Sequence, residues 1–399
     1  MAATVLYSCP PLSTAFLLSA FGFTYTVGRY LVDDVPTDVA RRDVENFFSE
    51  QDCVNFLRFG RSQIMQLLTL LSPPEIARTV CGFVVSEREA LCVVLYRLAF
   101  PCRLKDMRLI FGLKKSCICE IGNYMLHFLD GNFGYLLSLN VDGIVPKPAS
   151  FAAAIYATGA PLANCWALLD GTVRGVARPI RGQRAVYNGH KRIHALKYQG
   201  LVTPDGIIAD LWGPMEGSRH DAYMLDQSNL LSLVQANMNN SDGEPCCIYG
   251  DPANGMSNYR ISPYQDATSG PLTPAMQEFN KGMSQCRVTV EWAVKEMTSK
   301  WAFVSMKPQQ KGLLSPVGKQ YRVATLLANL HSCLNGGNQI SQFFHVAPPS
   351  IEEYLRMQTT VIWHCEKHRP LILLLKRGSA LTDVGVRLVC CLYFCVRRR

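Results

Sequence analysis

Two short apolar runs, each ending in an aspartate, constrain this chain more than any other feature. Cys165–Leu169 runs into Asp170-Gly171, and Cys246–Tyr249 runs into Gly250-Asp251. Apolar runs of this length read as strands. Between them, His194–Val202 and Gly206–Trp212 are strand-like and joined by the turn Thr203-Pro204-Asp205-Gly206, while Ser218–Val234 reads as a helix. After them, Arg287–Trp301 reads as a helix with Val290, Val294, Met297 and Trp301 on its buried stripe. Antiparallel strands followed by alternating strand and helix predict an α/β domain, placed over 161–355.

The acids give this domain its chemistry. In an open α/β sheet, sites form just outside the carboxyl ends of the strands. If the two strands are parallel neighbours, Asp170 and Asp251 converge. Glu291 lies one step, about 100°, around the helix from Val290, so it sits beside the buried stripe and can lean over a sheet edge. Three carboxylates without paired cysteines select a hard divalent cation, Mg²⁺ or Mn²⁺. Two such ions clamp the attacking and leaving oxygens of a phosphodiester. Each acid also has a plainer explanation. Asp-Gly is a common turn, and Glu291 with Lys295 at i+4 makes a surface ion pair. The pattern together points to a nuclease.

Charge supports this locally. The 399 residues carry a net +9, but eight Lys/Arg against two acids fall after Thr360 and supply most of it. The informative stretch is Gly171–Pro204, 34 residues with no acid and seven basic side chains, starting right after Asp170. Of these, Arg184, Lys191, Arg192 and Lys197 are the candidate DNA contacts; a solvated hairpin is the alternative. A 48% hydrophobic share excludes wholesale disorder. No run is long and apolar enough for a spanning helix, and Met1–Tyr30 lacks the basic start of a signal peptide. The sixteen cysteines include no C-x-x-C, which argues against zinc and for buried thiols.

Upstream of the α/β domain the pattern is helical, predicting an all-α domain over 37–140. Ser86-Glu87-Arg88-Glu89 is a capping box, Leu104–Phe111 is a short helix, Gly112 marks a turn, and Ser116 caps a further helix with Ile118, Ile121, Met125 and Phe128 on one stripe. That layout is helix-turn-helix-like. Its last helix presents Lys114, Lys115, Glu120, Asn123 and His127, a poor set of base readers. Residues 141–160, with Pro146, Pro148 and Gly159, read as a linker. Residues 1–36 and 356–399 are unassigned.

The block Trp166–Thr172, the block Arg184–Lys197 with its Asn-Gly-His-Lys-Arg core, Gly217-Ser-Arg-His-Asp-Ala222, Tyr249-Gly-Asp-Pro252 and Arg287-Val-Thr-Val-Glu291 together resemble the transposases of the PIF/Harbinger group. The order and spacing fit across about Ser86–Leu355, and the two chain ends depart from the family. The resemblance implies an RNase H-like DDE nuclease with Asp170, Asp251 and Glu291 as its triad. It adds Asp221 as a further metal-site acid; a helix N-cap or first-turn role is the competing explanation. It implies divalent-metal-dependent cleavage of double-stranded DNA at element ends, strand transfer into target DNA, a separate Myb-like DNA-binding partner and a nuclear location. Homo-oligomerisation stays open. A domesticated, non-catalytic DNA-binding or scaffold protein keeping the fold is the alternative function.

Overall fold

The computed structural model describes residues 48–356, apart from 145–146, 241, 252–255, 267–269 and 313. The expectations for 1–36, 37–47 and the tail after Arg356 lie outside the described residues. The chain divides into two compact units, Met1–Arg97 with Cys102–Met125, and Leu98–Pro101 with Leu126–Arg399.

Helices α1 (Glu87–Ala99), α2 (Leu104–Phe111) and α3 (Lys115–Phe133) follow the expected order. The Ser86 hydroxyl accepts the Glu89 N–H at 3.2 Å, as an N-cap does. Gly112 ends α2 at φ 64°, a left-handed conformation that glycine adopts without Cβ strain. The first unit is not all-α, which corrects the expectation. Ile76–Arg78 and Val84–Ser86 pair antiparallel, each three residues long with only its centre, Ala77 or Val85, buried. Three residues are too few for an alternating pattern to stand out in the sequence.

The second unit is built on a mixed sheet. Strands β1 (Cys165–Gly175), β2 (Ile193–Val202), β3 (Ile208–Glu216), β4 (Cys247–Tyr249) and β5 (Arg260–Ile261) lie in the order β3-β2-β1-β4-β5. The first three pair antiparallel, while β1, β4 and β5 run parallel. The start of β1, Cys165–Leu169, is buried throughout, so its apolar run is continuous instead of alternating. Asp170 is therefore not in a turn: β1 runs on through it to Gly175, paired with β2 all the way.

Helices cover both faces. On one, Phe151 and Ala152 of α4 (Pro148–Ala157), Leu225 of α5 (Asp221–Gln227) and Leu230 and Val234 of α6 (Leu230–Asn237) pack with Leu169 and Leu201. On the other lie α7 (Pro274–Lys300) and α8 (Val317–Leu334), where Tyr321 of α8 stacks on Tyr198 of β2 at 4.0 Å. Asn329 of α8 accepts from the Ile208 N–H at 3.1 Å and donates to its carbonyl at 3.0 Å, satisfying the end of edge strand β3. No described helix is long and apolar enough to cross a membrane.

The linker expected over 141–160 is instead largely helical. Val141–Ile144 and α4 occupy it, and Phe151 and Ile155 are core residues. Pro148, which suggested a linker, stands at the start of α4, where its missing N–H costs nothing. The single helix expected over Ser218–Val234 is two, broken at Asn229, whose φ is 56°.

The turn between β2 and β3 makes a stability test. Gly206 has φ +79°, its N–H donates to Thr203 O, and its carbonyl accepts from Asn338 Nδ2 at 2.7 Å. A Cβ there would overlap the Asn338 amide. Gly206→Ala should lower unfolding free energy by about 2–4 kcal/mol, read by urea denaturation.

Candidate active site

The register of β1 and β4 sets up the site. Leu168 pairs with Tyr249 in parallel. Asp251 follows two residues after Tyr249, beyond the paired register; it is not among the residues lining the cleft that Asp170 and Glu291 share, but its charge acts on Asp170. Helix α7 approaches from the face carrying Asp170 and Thr172. It begins at Thr273, whose hydroxyl accepts the Met276 N–H at 3.3 Å, with Pro274 at its first position. Its buried stripe, Met283, Cys286, Val290, Ala293 and Met297, turns toward the core. Arg287 and Glu291 each follow one step after a stripe residue, so both stand at its border. Asp170, Thr172, Arg174, Glu291, Val294, Lys295 and Thr298 line one cleft of about 300 Å³.

Asp170 is the electrostatic centre of this cleft. Its side chain is 21% exposed. Burial is the main cause that lifts its pKa to about 6; Arg287 pulls it down, and Asp251 and Glu291 push it up. The triad acids thus act on one another through space. They are not gathered tightly: no group of three His, Cys, Asp or Glu side chains placed to hold a metal ion occurs among the described residues. Arg287 Nη1 lies 3.3 Å from Asp170 Oδ1 instead. The surface pair considered for Glu291 and Lys295 is not formed; both side chains face the cleft.

The donor chemistry fits a hard divalent cation. The acids offer carboxylate oxygens only, and Asp170 is a part-buried carboxyl that a cation would hold ionised.

Of the two roles expected for Asp221, metal-site acid or helix N-cap or first-turn residue, the structure shows a first-turn position. Asp221 opens α5, and its carboxylate lies 3.4 Å from where a Cβ on Gly171 would project. Side chains alternate faces along a strand, so that is the face opposite to Asp170. Lys197, opposite Val173 on the neighbouring strand, reaches Asp221 Oδ1 at 2.7 Å and the Arg219 carbonyl at 2.8 Å. This also corrects Lys197 as a DNA contact: its side chain is 8% exposed and committed inside the fold. Arg184, Lys191 and Arg192 are exposed. The buried Asn188 shapes their loop, accepting the Lys191 N–H at 2.7 Å and donating to Gly217 O at 2.8 Å. His194 meets Tyr187 edge-on at 5.5 Å, and His220 occupies the α5 N-cap position without a side-chain cap bond.

Arg287 is the site residue that the sequence reading passed over. Its signal was its position four residues before Glu291, which places both on one side of the helix. Thr172 and Arg174 share the Asp170 face of β1, and Lys295 and Thr298 share the Glu291 side of α7, but that period was readable only once β1 was known to run past Asp170 and to lie against α7.

Residues 169–330 match the family described as DDE superfamily endonuclease. The match begins one residue before Asp170, ends within α8 and includes Asp251, Arg287 and Glu291. No curated protein and no solved structure matches the chain.

The raised pKa of Asp170 has a signed consequence. The folded state holds this proton more tightly than the unfolded state, so stability is lost as pH rises from about 4 through about 6. Asp170→Asn removes the ionisation. In metal-free buffer at pH 7.5 the variant should be more stable than wild type by about 1–3 kcal/mol. The gap should close toward pH 4 in urea titrations.

Proposed function

We propose that this protein is a divalent-metal-dependent DNA endonuclease and transposase of the Harbinger type. The observation that carries the reading is a part-buried Asp170 in one cleft with Glu291, near enough to Asp251 and Glu291 for both to raise its pKa, inside a stretch that matches the DDE superfamily endonuclease family. The strand order β3-β2-β1-β4-β5, with three antiparallel strands and then two parallel ones, supports an RNase H-like class. Asp170, Asp251 and Glu291 would hold Mg²⁺ or Mn²⁺. When bound, the metal supplies a lowered pKa for the attacking water and charge shielding for the phosphodiester.

The chain's own groups perform the remaining work. Arg174 and Lys295 line the cleft and offer positive charge to phosphates that the acids repel. The exposed Arg184, Lys191 and Arg192 extend that attraction to flanking DNA. Base reading by α3 has little support: Glu120 accepts the Cys81 N–H at 3.2 Å, and His127 Nδ1 lies 2.8 Å from Lys319 Nζ. Sequence recognition by a separate Myb-like partner, action in the nucleus and assembly of more than one copy on two element ends belong to the same proposal. The Arg287–Asp170 ion pair favours a second reading, a domesticated DNA-binding or scaffold protein in which the triad no longer cuts.

Cleavage separates the two. Purified protein with Mg²⁺ or Mn²⁺ and duplex DNA bearing candidate terminal repeats should give nicks that Asp170→Asn and Glu291→Gln reduce at least about 100-fold. Electrophoretic shifts should show the DNA still bound by both variants. Wild-type protein that binds DNA without cutting it selects the scaffold reading.

Replacing Arg184, Lys191 and Arg192 together by Gln should weaken binding to all duplexes alike. The log–log salt slope should flatten by about 0.9 for each phosphate no longer neutralised, measured by fluorescence anisotropy across NaCl concentrations. An unchanged slope would make this loop a solvated face.

A further inference from the structure

Helix α7 brings Glu291 to the cleft and Arg287 to Asp170. Arg287 and Glu291 are four residues apart and so share a side of the helix. Glu291 lines the cleft, and Arg287 reaches across to β1. Arg287 meets Asp170 through a single approach, Nη1 to Oδ1 at 3.3 Å, between side chains that are 27% and 21% exposed. Charge-assisted hydrogen bonds of the strong kind are shorter, about 2.7–2.9 Å, and arginine pairs most firmly through two parallel bonds. This pair has the charge complementarity of an ion pair without the geometry of a locked one. The carboxylate it holds belongs to an acid trio that repels itself.

We propose that Arg287 is an internal counter-ion of Asp170, exchanged for the divalent cation when the site loads. The proposal rests on the reading of Asp170 as a metal-holding carboxylate. A guanidinium and a divalent cation on one small carboxylate repel each other, so each weakens the other's hold. Arg287 therefore keeps the acid pocket folded and neutralised without metal, at the expense of metal affinity. It is a positioning residue: it acts on the cation through Asp170 and the local field.

Direct metal binding tests this without reference to cleavage. Mn²⁺ affinity is measured from the free-Mn²⁺ electron paramagnetic resonance signal for wild type, Arg287→Gln, Arg287→Lys and Asp170→Asn, with thermal melts confirming folding. Arg287→Gln should bind Mn²⁺ at least about fivefold more tightly than wild type, because the competing charge is gone. Arg287→Lys, which keeps the charge, should stay within about twofold of wild type. Asp170→Asn should lose binding. If Asp170→Asn loses binding while Arg287→Gln binds no more tightly than wild type, the counter-ion proposal is overturned and the site reading stands. If Asp170→Asn binds like wild type, or no form binds Mn²⁺, the site reading falls and the proposal with it.

Should Arg287→Gln fail to fold, wild-type protein still decides the matter. The Arg287 Nε–Hε resonance, assigned by its loss in Arg287→Lys, should move on Mg²⁺ addition in wild type and stay fixed in Asp170→Asn. A resonance that Mg²⁺ leaves unmoved in wild type overturns the exchange.

Discussion

Beyond Leu168, β1 loses its parallel partner, and the site depends on that loss. On one side β1 stays paired with β2 as far as Gly175; on the other, β4 stops pairing at Tyr249. Asp170 thus sits on a strand held rigid by one neighbour and opened by the other. The rigidity fixes the carboxylate, because a regular ladder leaves the backbone little freedom to re-aim it. The opening gives Asp251 a place beside it and α7 room to present Arg287 and Glu291.

Burial then sets the chemistry. A carboxyl in a largely desolvated position prefers its proton, and neighbouring acids strengthen that preference. The fold answers with cations placed on each side of the sheet: Arg287 on the face of Asp170, and Lys197 with Asp221 behind it. The second pair lies across the strand from the cleft, so it supports β1 and α5 without touching the face of Asp170. The basic segment after Asp170 is consequently divided in its work. Lys197 is structural, Arg174 faces the cleft and packs over the Tyr321 ring at 5.5 Å, and Arg184, Lys191 and Arg192 meet solvent.

Much of this was legible in the amino-acid order, for identifiable reasons. Continuous apolar runs marked β1 and β4 because central strands are buried on both faces. The 3.6-residue period marked α7 and placed Glu291 at the border of its stripe. The short α2 and its Gly112 terminus were readable because local chemistry alone decides them. What was not legible depended on distant partners. Pro148 reads equally well as a linker signal and as a helix start, and only Phe151 entering the core decides between them. Asn229 breaks a helix through a single backbone angle. The length of β1 past Asp170 was hidden because Asp-Gly so often turns the chain. Lys197 looked like its basic neighbours until strand pairing sent it inward to Asp221. Arg287 had the right spacing, but an arginine four residues before Glu291 is meaningful only once β1 lies opposite α7.

Gly171 gives β1 a consequence for how this chain can vary. At this point the strand presents nothing but backbone between the Asp170 side and the Asp221 carboxylate behind it, and an added methyl would already touch that carboxylate. That contact is at ordinary van der Waals distance, and Gly171 is exposed, so alanine fits and a larger side chain would have to lean past Asp221 toward solvent. The Lys197–Asp221 pair behind the strand therefore sets the size at which a substitution at position 171 begins to press on α5.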